Sequence, residues 1–347
     1  MINLEVDNVN RALAVGLRYL YEHGEREDSR NGTVLVSPCP ITTTYLQPTQ
    51  RVLFSPMRDA NPFFHLMEAL WMLSGRRDLA WPKYFNQRFG SYSDDGKIVW
   101  GAYGWRWREF FGYSQLHQIA QELRANPQSR RAVLAMWNAA ACPRDLPTWP
   151  GDTPGLITDD LAVMSAGGKD VPCNTHAYFD VRHGKLNVTV CCRSNDILWG
   201  AYGTNAVHFS MLLEIMAALI GVPVGVYRQM SNNYHAYTDV IPLEKFCTLA
   251  EDAAHNNLYA VPSPNQLIMP LVHRSAESWL RDLHLFMDDP MRTGSWDEAF
   301  FPTVAQPMYE AWTVRKERRG SGHAEATRIL ADDWRIACTE WIERREK

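Results

Sequence analysis

The chain has 347 residues, 46% of them hydrophobic, which is ample for a substantial core and excludes a disordered polymer. Its 35 basic and 39 acidic residues leave a net charge of −4, without the basic excess of a nucleic-acid binder, so any anion site must be a local cluster. Seven cysteines, an odd number without framework spacing, argue against a disulfide scaffold and for a reducing compartment. CxxC pairs and HExxH do not occur, so no zinc site is expected. The first twenty residues carry charges among their apolar positions, unlike a signal peptide, and no apolar run reads as long enough to span a bilayer. These features predict a soluble, cytoplasmic protein.

In chain order, the apolar spacing of Leu13, Val15, Leu17, Leu20 and Tyr21 predicts an amphipathic helix over 9–22, ended by His23-Gly24. The charged stretch GEREDSRNG reads as a turn before the strand TVLVS. Arg30 lies in that turn, either as a solvated loop residue or as an anion contact. FFHLMEALWML, residues 63–73, must be a buried helix, yet it contains Glu68. A buried carboxylate needs a partner or a raised pKa, so Glu68 is a candidate acid, base or water-positioning group, or a structural glutamate paired with an arginine.

Residues 81–111 are dense in aromatic residues, which points to core or interface, and Tyr103-Gly104 reads as a turn lining a pocket. A helix over 113–123 stops at NPQSRR, and AVLAMWN follows as a strand. Strand alternation would send Arg130 and Arg131 to opposite faces; both become functional if they meet an anion across an interface. Residues 139–171, rich in Pro, Gly and Asp, read as a long surface loop inserted in the domain.

HAYFDV and LNVTVC flank Arg182-His183-Gly184-Lys185, where Gly184 can supply the positive φ of a tight hairpin. Pairing 182 with 185 carries Arg193 and Ser194 beside Cys173. Strict alternation would put Arg193 on the face opposite Cys173, so either a bulge or a guanidinium that curls round is expected. A cysteine in a strand is commonly a buried small hydrophobe; beside an arginine it is also a usable thiolate nucleophile. GAYGTN reads as a Gly-rich turn before an apolar helix over 207–219. VGVYRQM then forms a strand leading to His235 and Tyr237, which share a face if extended and are either site residues or satisfied surface groups. From 244 to 347 the chain is mainly helical, its last stretch, 325–347, reading as a single helix.

Taken together, MEALWML, the Tyr-Gly of GAYG, NPQSRR before AMWN, PC followed by RS and D, GAYGTN and the closing HAY resemble the thymidylate synthase and pyrimidine-nucleotide hydroxymethylase family over about residues 30–237. The resemblance implies an α/β (α+β) fold: a thymidylate-synthase-like mixed sheet flanked by helices, in one catalytic domain over 1–347, with the 139–171 insertion and an enlarged helical region at 244–347. It implies Cys173 as the nucleophile that adds to C6 of a pyrimidine nucleotide. Arg30, Arg193 and Ser194 resemble phosphate ligands, and Arg130 and Arg131 the pair that reaches the partner subunit's nucleotide in a homodimer with shared sites. Asp196 is similar to the carboxylate that holds the folate, Asn205 to the amide that reads the base, and His235 and Tyr237 to contacts of the sugar hydroxyl. Glu68 resembles the glutamate that organises water, and Tyr103 the tyrosine that assists proton removal at C5. The implied co-substrate is 5,10-methylenetetrahydrofolate.

Four departures bear on the product. The chain closes on the charged stretch WIERREK rather than an apolar tail. Phe89 stands where the family has a tryptophan near the folate. Asn174 and Cys192 replace a histidine and a glutamine, and GAYGTN is one residue longer than the family's turn. The first two favour capture of water and a 5-hydroxymethyl product over methylation. An amide at 205 suits uracil, so dUMP is the expected substrate; dCMP stays open because the turn is altered. The alternatives are a thymidylate synthase, a dCMP or CMP hydroxymethylase, a non-catalytic nucleotide-binding dimer, and an unrelated cysteine hydrolase with His176 or His235 as base. Neither nucleic acid nor a membrane is expected as a partner.

Overall fold

The computed structural model describes residues 1–29, 31–138, 160–165, 167–261 and 267–346. Its framework is one mixed sheet of eight strands: β1 (Ile2–Val6), β2 (Glu25–Ser29), β3 (Gly32–Val36), β4 (Ile41–Tyr45), β5 (Val133–Ala135), β6 (Asn174–Arg182), β7 (Lys185–Asp196) and β8 (Val224–Tyr237). The spatial order is β1-β4-β8-β7-β6-β5. At fourteen residues β8 is long enough for one edge to take β4 along Tyr227–Ser231 and β3 along His235–Tyr237, both antiparallel. Its other edge pairs with β7 in parallel. VGVYRQM and SNNYHAY are therefore a single strand.

The helices are α1 (Val9–His23), α2 (Pro62–Leu73), α3 (Ala80–Phe85), α4 (Tyr103–Arg108), α5 (Gln115–Ala125), α6 (Asp160–Ser165), α7 (Asn205–Ile220), α8 (Phe246–His255), α9 (Ala276–Asp288), α10 (Gln306–Lys316), α11 (His323–Ala326) and α12 (Asp332–Glu343). Local sequence starts several of them: Asn8, Asn61 and Ser114 each accept the N–H three residues on, and Pro62 occupies the first turn of α2 where no donor is needed. α7 is apolar on nearly all sides and lies against β7, β8 and α2, while α10 and α12 pack against α2. The apolar core runs continuously from Val6 to Ile342, and each large side chain fully buried in it contributes about 1.5–3 kcal/mol.

Along β8 the burial alternates from Val224 to Ser231, with Tyr227, Gln229 and Ser231 under the helices and Val226, Arg228 and Met230 half-buried on the other face. Val133 and Tyr178 are exposed on β5 and β6. The helices thus cover one face of the central sheet and leave the other partly open.

Several expectations change. The charged stretch Glu25–Ser29 is a strand, exposed throughout, that among the described residues pairs only with β3. Tyr103-Gly104 opens a helix instead, and Gly104 lets it lie against the end of α2, since a Cβ there would stand 1.7 Å from the Met72 carbonyl oxygen. Arg130 and Arg131 precede β5, so strand alternation does not govern them. The turn before α7 is a segment over Ile197–Thr204 with π-type hydrogen bonding, kinked at Tyr202 and Gly203, whose backbone is not helical. The last helical stretch is broken between α11 and α12. Ile197–Ile220 is, by length and composition, apolar enough to cross a membrane, contrary to the reading of the sequence; 72% of that window is buried in the fold, as in a core helix. Most of the 139–171 insertion lies outside the described residues, but Asp160 is fully buried rather than on the surface, held by Arg106.

Asp333, at the start of α12, is 2% exposed and accepts the Tyr259 hydroxyl at 2.9 Å. Burial pushes its carboxyl up from 3.8 to about 6. Between those values the native state holds a proton that the unfolded chain has released, so this group's contribution to stability falls as pH rises through the window. An amide in place of the carboxyl would keep the acceptor for Tyr259 without the cost of ionisation, at the loss of the second oxygen, which accepts the Trp334 N–H at 2.8 Å. Asp333→Asn is expected to raise the unfolding free energy by about 2 kcal/mol at pH 8 and to change it little below pH 4, measured by urea unfolding at both.

Candidate active site

The hairpin β6–β7 turns at His183 and Gly184, with φ of 51° and 71°, and Arg182 pairs with Lys185 as the sequence predicts. The register holds as far as His176 opposite Cys191 and then slips, so that Asn174 faces Cys192. This bulge is the expected resolution of the alternation problem. Arg193 N–H donates to the Cys173 carbonyl at 2.8 Å, and the guanidinium swings back over the same edge, with Nη2 3.7 Å from Cys173 Sγ. It is fixed there by the carbonyls of Pro172 at 2.9 Å and Val171 at 3.0 Å, with Trp137 beneath at 5.9 Å. Cys173 is half-buried and Arg193 exposed, so the thiol lies where a ligand can reach it.

Opposite the thiol, α4 presents Tyr103, whose hydroxyl oxygen accepts the Asn174 N–H at 3.2 Å. Burial, reinforced by the neighbouring Cys173 and Cys192, holds this phenol well above its ordinary pKa, so it stays protonated. Glu68 on α2 is 4% exposed. Its partner is not an arginine but His208 of α7, at 3.3 Å, in a contact not aligned as a hydrogen bond. Asp196, at the end of β7, accepts the N–H groups of Leu198 and Trp199 and caps the segment over Ile197–Thr204. Those bonds and Arg58 favour its ionised form, but burial outweighs them and lifts the carboxyl to about 6. Register places Asp196 beside His235, whose ring is buried, stacks edge-on against Tyr237 at 5.2 Å and is held below its ordinary pKa by desolvation.

Tyr92 lies in the neighbourhood of these groups. Although the residue is 57% exposed, its phenol is raised by partial desolvation and then by Tyr237, Asp196, Cys173 and Glu68, all of which act on it electrostatically. Nothing in the local sequence SYSDD separates it from other aromatic residues of the segment. Arg58 carries no local signal either: it donates to the Leu198 carbonyl and lies 5.0 Å over the exposed ring of Trp199. Phe89 packs on Phe64 at 5.9 Å and Tyr92 at 5.8 Å, on the same side. Asn205 is the first residue of α7 rather than the end of a turn, and its Oδ1 accepts Asn174 Nδ2 at 3.3 Å. Ser194 is half-buried next to Arg193, and its carbonyl accepts the Cys192 thiol at 3.1 Å.

The structure does not bring every expected residue to this cleft. Arg30 lies outside the described residues. Arg130 and Arg131 are exposed beyond the β5 edge, and Arg131 pairs with Glu122 at 2.8 Å. Among the described residues no hydrogen bond or ion pair links either arginine to the other site residues.

The fold is that of solved thymidylate synthases: the crystal structure of the T4 phage enzyme matches with a TM-score of 0.51 at 17% identity, over 68% of this chain and 79% of that one. The family model described as thymidylate synthase matches residues 15–249. A deoxyuridylate hydroxymethyltransferase of Pseudomonas phage M6 is 44% identical over 99% of this chain and 94% of its own length. Another, from Bacillus phage SP01, is 35% identical over 58% of this chain and 50% of its own length. The thymidylate synthase of Symbiobacterium thermophilum is 28% identical over 52% and 61%. The chain therefore belongs to the thymidylate synthase family.

Proposed function

We propose that this chain converts dUMP to 5-hydroxymethyl-dUMP, with 5,10-methylenetetrahydrofolate as the carbon donor and Cys173 as the nucleophile at C6. The observation that carries the chemistry is the β-bulge that sets the Arg193 guanidinium 3.7 Å from Cys173 Sγ. A guanidinium at that range stabilises a thiolate, and its remaining donors suit a phosphate. The identity of 44% to a deoxyuridylate hydroxymethyltransferase along nearly the whole chain supports this substrate and product.

The residues then divide the work. The Cys173 thiolate forms a bond to C6, and the electron pair displaced to C5 and O4 faces the Asn205 amide. The folate, when bound, supplies an electrophilic carbon at the oxidation level of formaldehyde. A carboxyl at Asp196 beside the exposed rings of Tyr92 and Trp199 is the donor-accepting, flat surface that a pterin fits. The protonated Tyr103 phenol hydrogen-bonds the water that takes the C5 proton, and Glu68 holds a water near the base. Addition of water to the exocyclic methylene and departure of the thiolate complete the product, leaving tetrahydrofolate. A methylating route would instead take a hydride from the folate and leave dihydrofolate. The smaller ring of Phe89, in place of tryptophan, favours admission of water.

Incubation with dUMP, dCMP or CMP and methylenetetrahydrofolate, followed by mass analysis, tests the reading. We expect 5-hydroxymethyl-dUMP and no dihydrofolate; dTMP with stoichiometric dihydrofolate would refute it in favour of a synthase.

We read residues 1–347 as one catalytic domain whose helical part from 244 onward packs into the same core, and the active form as a homodimer with shared sites. The open sheet face with Val133 and Tyr178, and two exposed arginines that among the described residues bond to no other site residue, support this arrangement. Mixing Cys173→Ala chains with an Arg130→Ala/Arg131→Ala double variant should restore up to about a quarter of wild-type activity through mixed dimers, in which one of two sites is intact. Absence of complementation in the mixed sample would count against sharing.

A further inference from the structure

Asn205 is one member of a buried series of amides. Its Nδ2 donates to Asn195 Oδ1 at 3.2 Å, and Asn195 Nδ2 donates to Ser231 Oγ at 2.9 Å. On the other side Asn174 Nδ2 donates to Asn205 Oδ1 at 3.3 Å, and Gln229 Nε2 donates to Asn174 Oδ1 at 3.2 Å. The Tyr227 hydroxyl donates to Gln229 Oε1; the Asn205 carbonyl lies farther from it, at 3.5 Å. None of these six side chains is more than 7% exposed. Gly200 lets the Asn195 and Asn205 amides meet, since a Cβ there would stand 2.5 Å from Asn195 Oδ1.

Every amide in the series donates towards Ser231 and accepts from the side of Tyr227. Turning one of them over would set N–H against N–H on one side and oxygen against oxygen on the other, away from water, so they turn together or not at all. The two ends are hydroxyls, and either can donate or accept. A phenol is the stronger donor and an aliphatic hydroxyl the stronger acceptor, so Tyr227 at the head and Ser231 at the foot favour the direction seen.

Uracil offers a donor at N3 and an acceptor at O4; cytosine offers an acceptor at N3 and a donor at N4. An amide edge that matches one matches the other when turned over. We propose that the series Tyr227–Gln229–Asn174–Asn205–Asn195–Ser231 is a specificity device that selects uracil by fixing which end of Asn205 is the donor. This rests on the reading that Asn205 faces the pyrimidine edge. Tyr227, Gln229, Asn174, Asn195 and Ser231 are then positioning residues.

Tyr227→Phe tests it, because the ring that stacks on Tyr45 at 5.1 Å is kept and only the head donor is lost. Binding of dUMP and of dCMP to the full-length protein is measured by calorimetry, with kcat/KM for each nucleotide alongside. The ratio of the dCMP to the dUMP dissociation constant is expected to fall about tenfold, the scale of one hydrogen bond. Ser231→Ala should lower the same ratio from the foot of the series, and Ser231→Thr should restore it. Equal weakening of both nucleotides, with the ratio unchanged in Tyr227→Phe and Ser231→Ala, would overturn the device and leave the proposed function standing. A wild-type protein that binds neither nucleotide would remove the function and the device together.

Discussion

Cys173→Ala is expected to reduce exchange of the C5 proton of dUMP with solvent to background, a loss on the order of ten-thousand-fold or more, as for other enzymes deprived of their nucleophile. C5 becomes acidic only while C6 carries the sulfur, so no other residue of the cleft substitutes for the thiol: Tyr103 is held protonated by burial and Asp196 is occupied with backbone donors. Because Arg193 is held by two main-chain carbonyls, removing the thiol leaves its guanidinium in place, and nucleotide binding should survive. Release of tritium from C5-labelled dUMP reads the first effect and equilibrium dialysis the second. Exchange that persists in the alanine variant would mean another nucleophile.

Asp160→Ala should be the most destabilising single change, by about 3–5 kcal/mol. Arg106 and Asp160 are fully buried and meet in a two-pronged pair, Nη1 and Nη2 to the carboxylate at 2.7 and 2.8 Å; Arg106 also donates to the Met136 and Trp100 carbonyls. Without the carboxylate a guanidinium is left uncompensated in the core. Replacing both members together, as in Arg106→Met/Asp160→Leu, should recover much of the loss, since apolar groups of similar volume bury without that penalty. Chemical unfolding compares the three variants; a double variant less stable than Asp160→Ala would show that the pair stabilises beyond its charge balance. Arg106 sits one turn after Tyr103 on α4, so loosening the pair should also slow catalysis before the protein unfolds.

Much of the site was legible because its residues are close in sequence. The loop residues of the hairpin follow from Gly184, and the bulge followed from a conflict: polar residues at 193 and 194 beside a cysteine cannot satisfy strict alternation. Glu68 could be seen to need a partner, but His208 lies 140 residues away, and only folding shows which group arrives. The same holds for Asp160 and Arg106, which made a Pro- and Gly-rich stretch look wholly superficial. Glu25–Ser29 escaped as a strand because it is exposed throughout, so no hydrophobic alternation marks it.

The π-bonded segment over Ile197–Thr204 bears on how this chain could have come to differ from its relatives. A π turn is an α turn holding one more residue, and the sequence is read as having one residue more before Asn205 than the family's turn. The surplus can be stored as a wider loop of main chain, so that the following helix still begins with its amide in the core. Insertions of this kind change the girth of a coil while sparing what comes after it. The backbone is already kinked at Tyr202 and Gly203, just before α7, which makes chain length at this point an adjustable variable rather than a lesion.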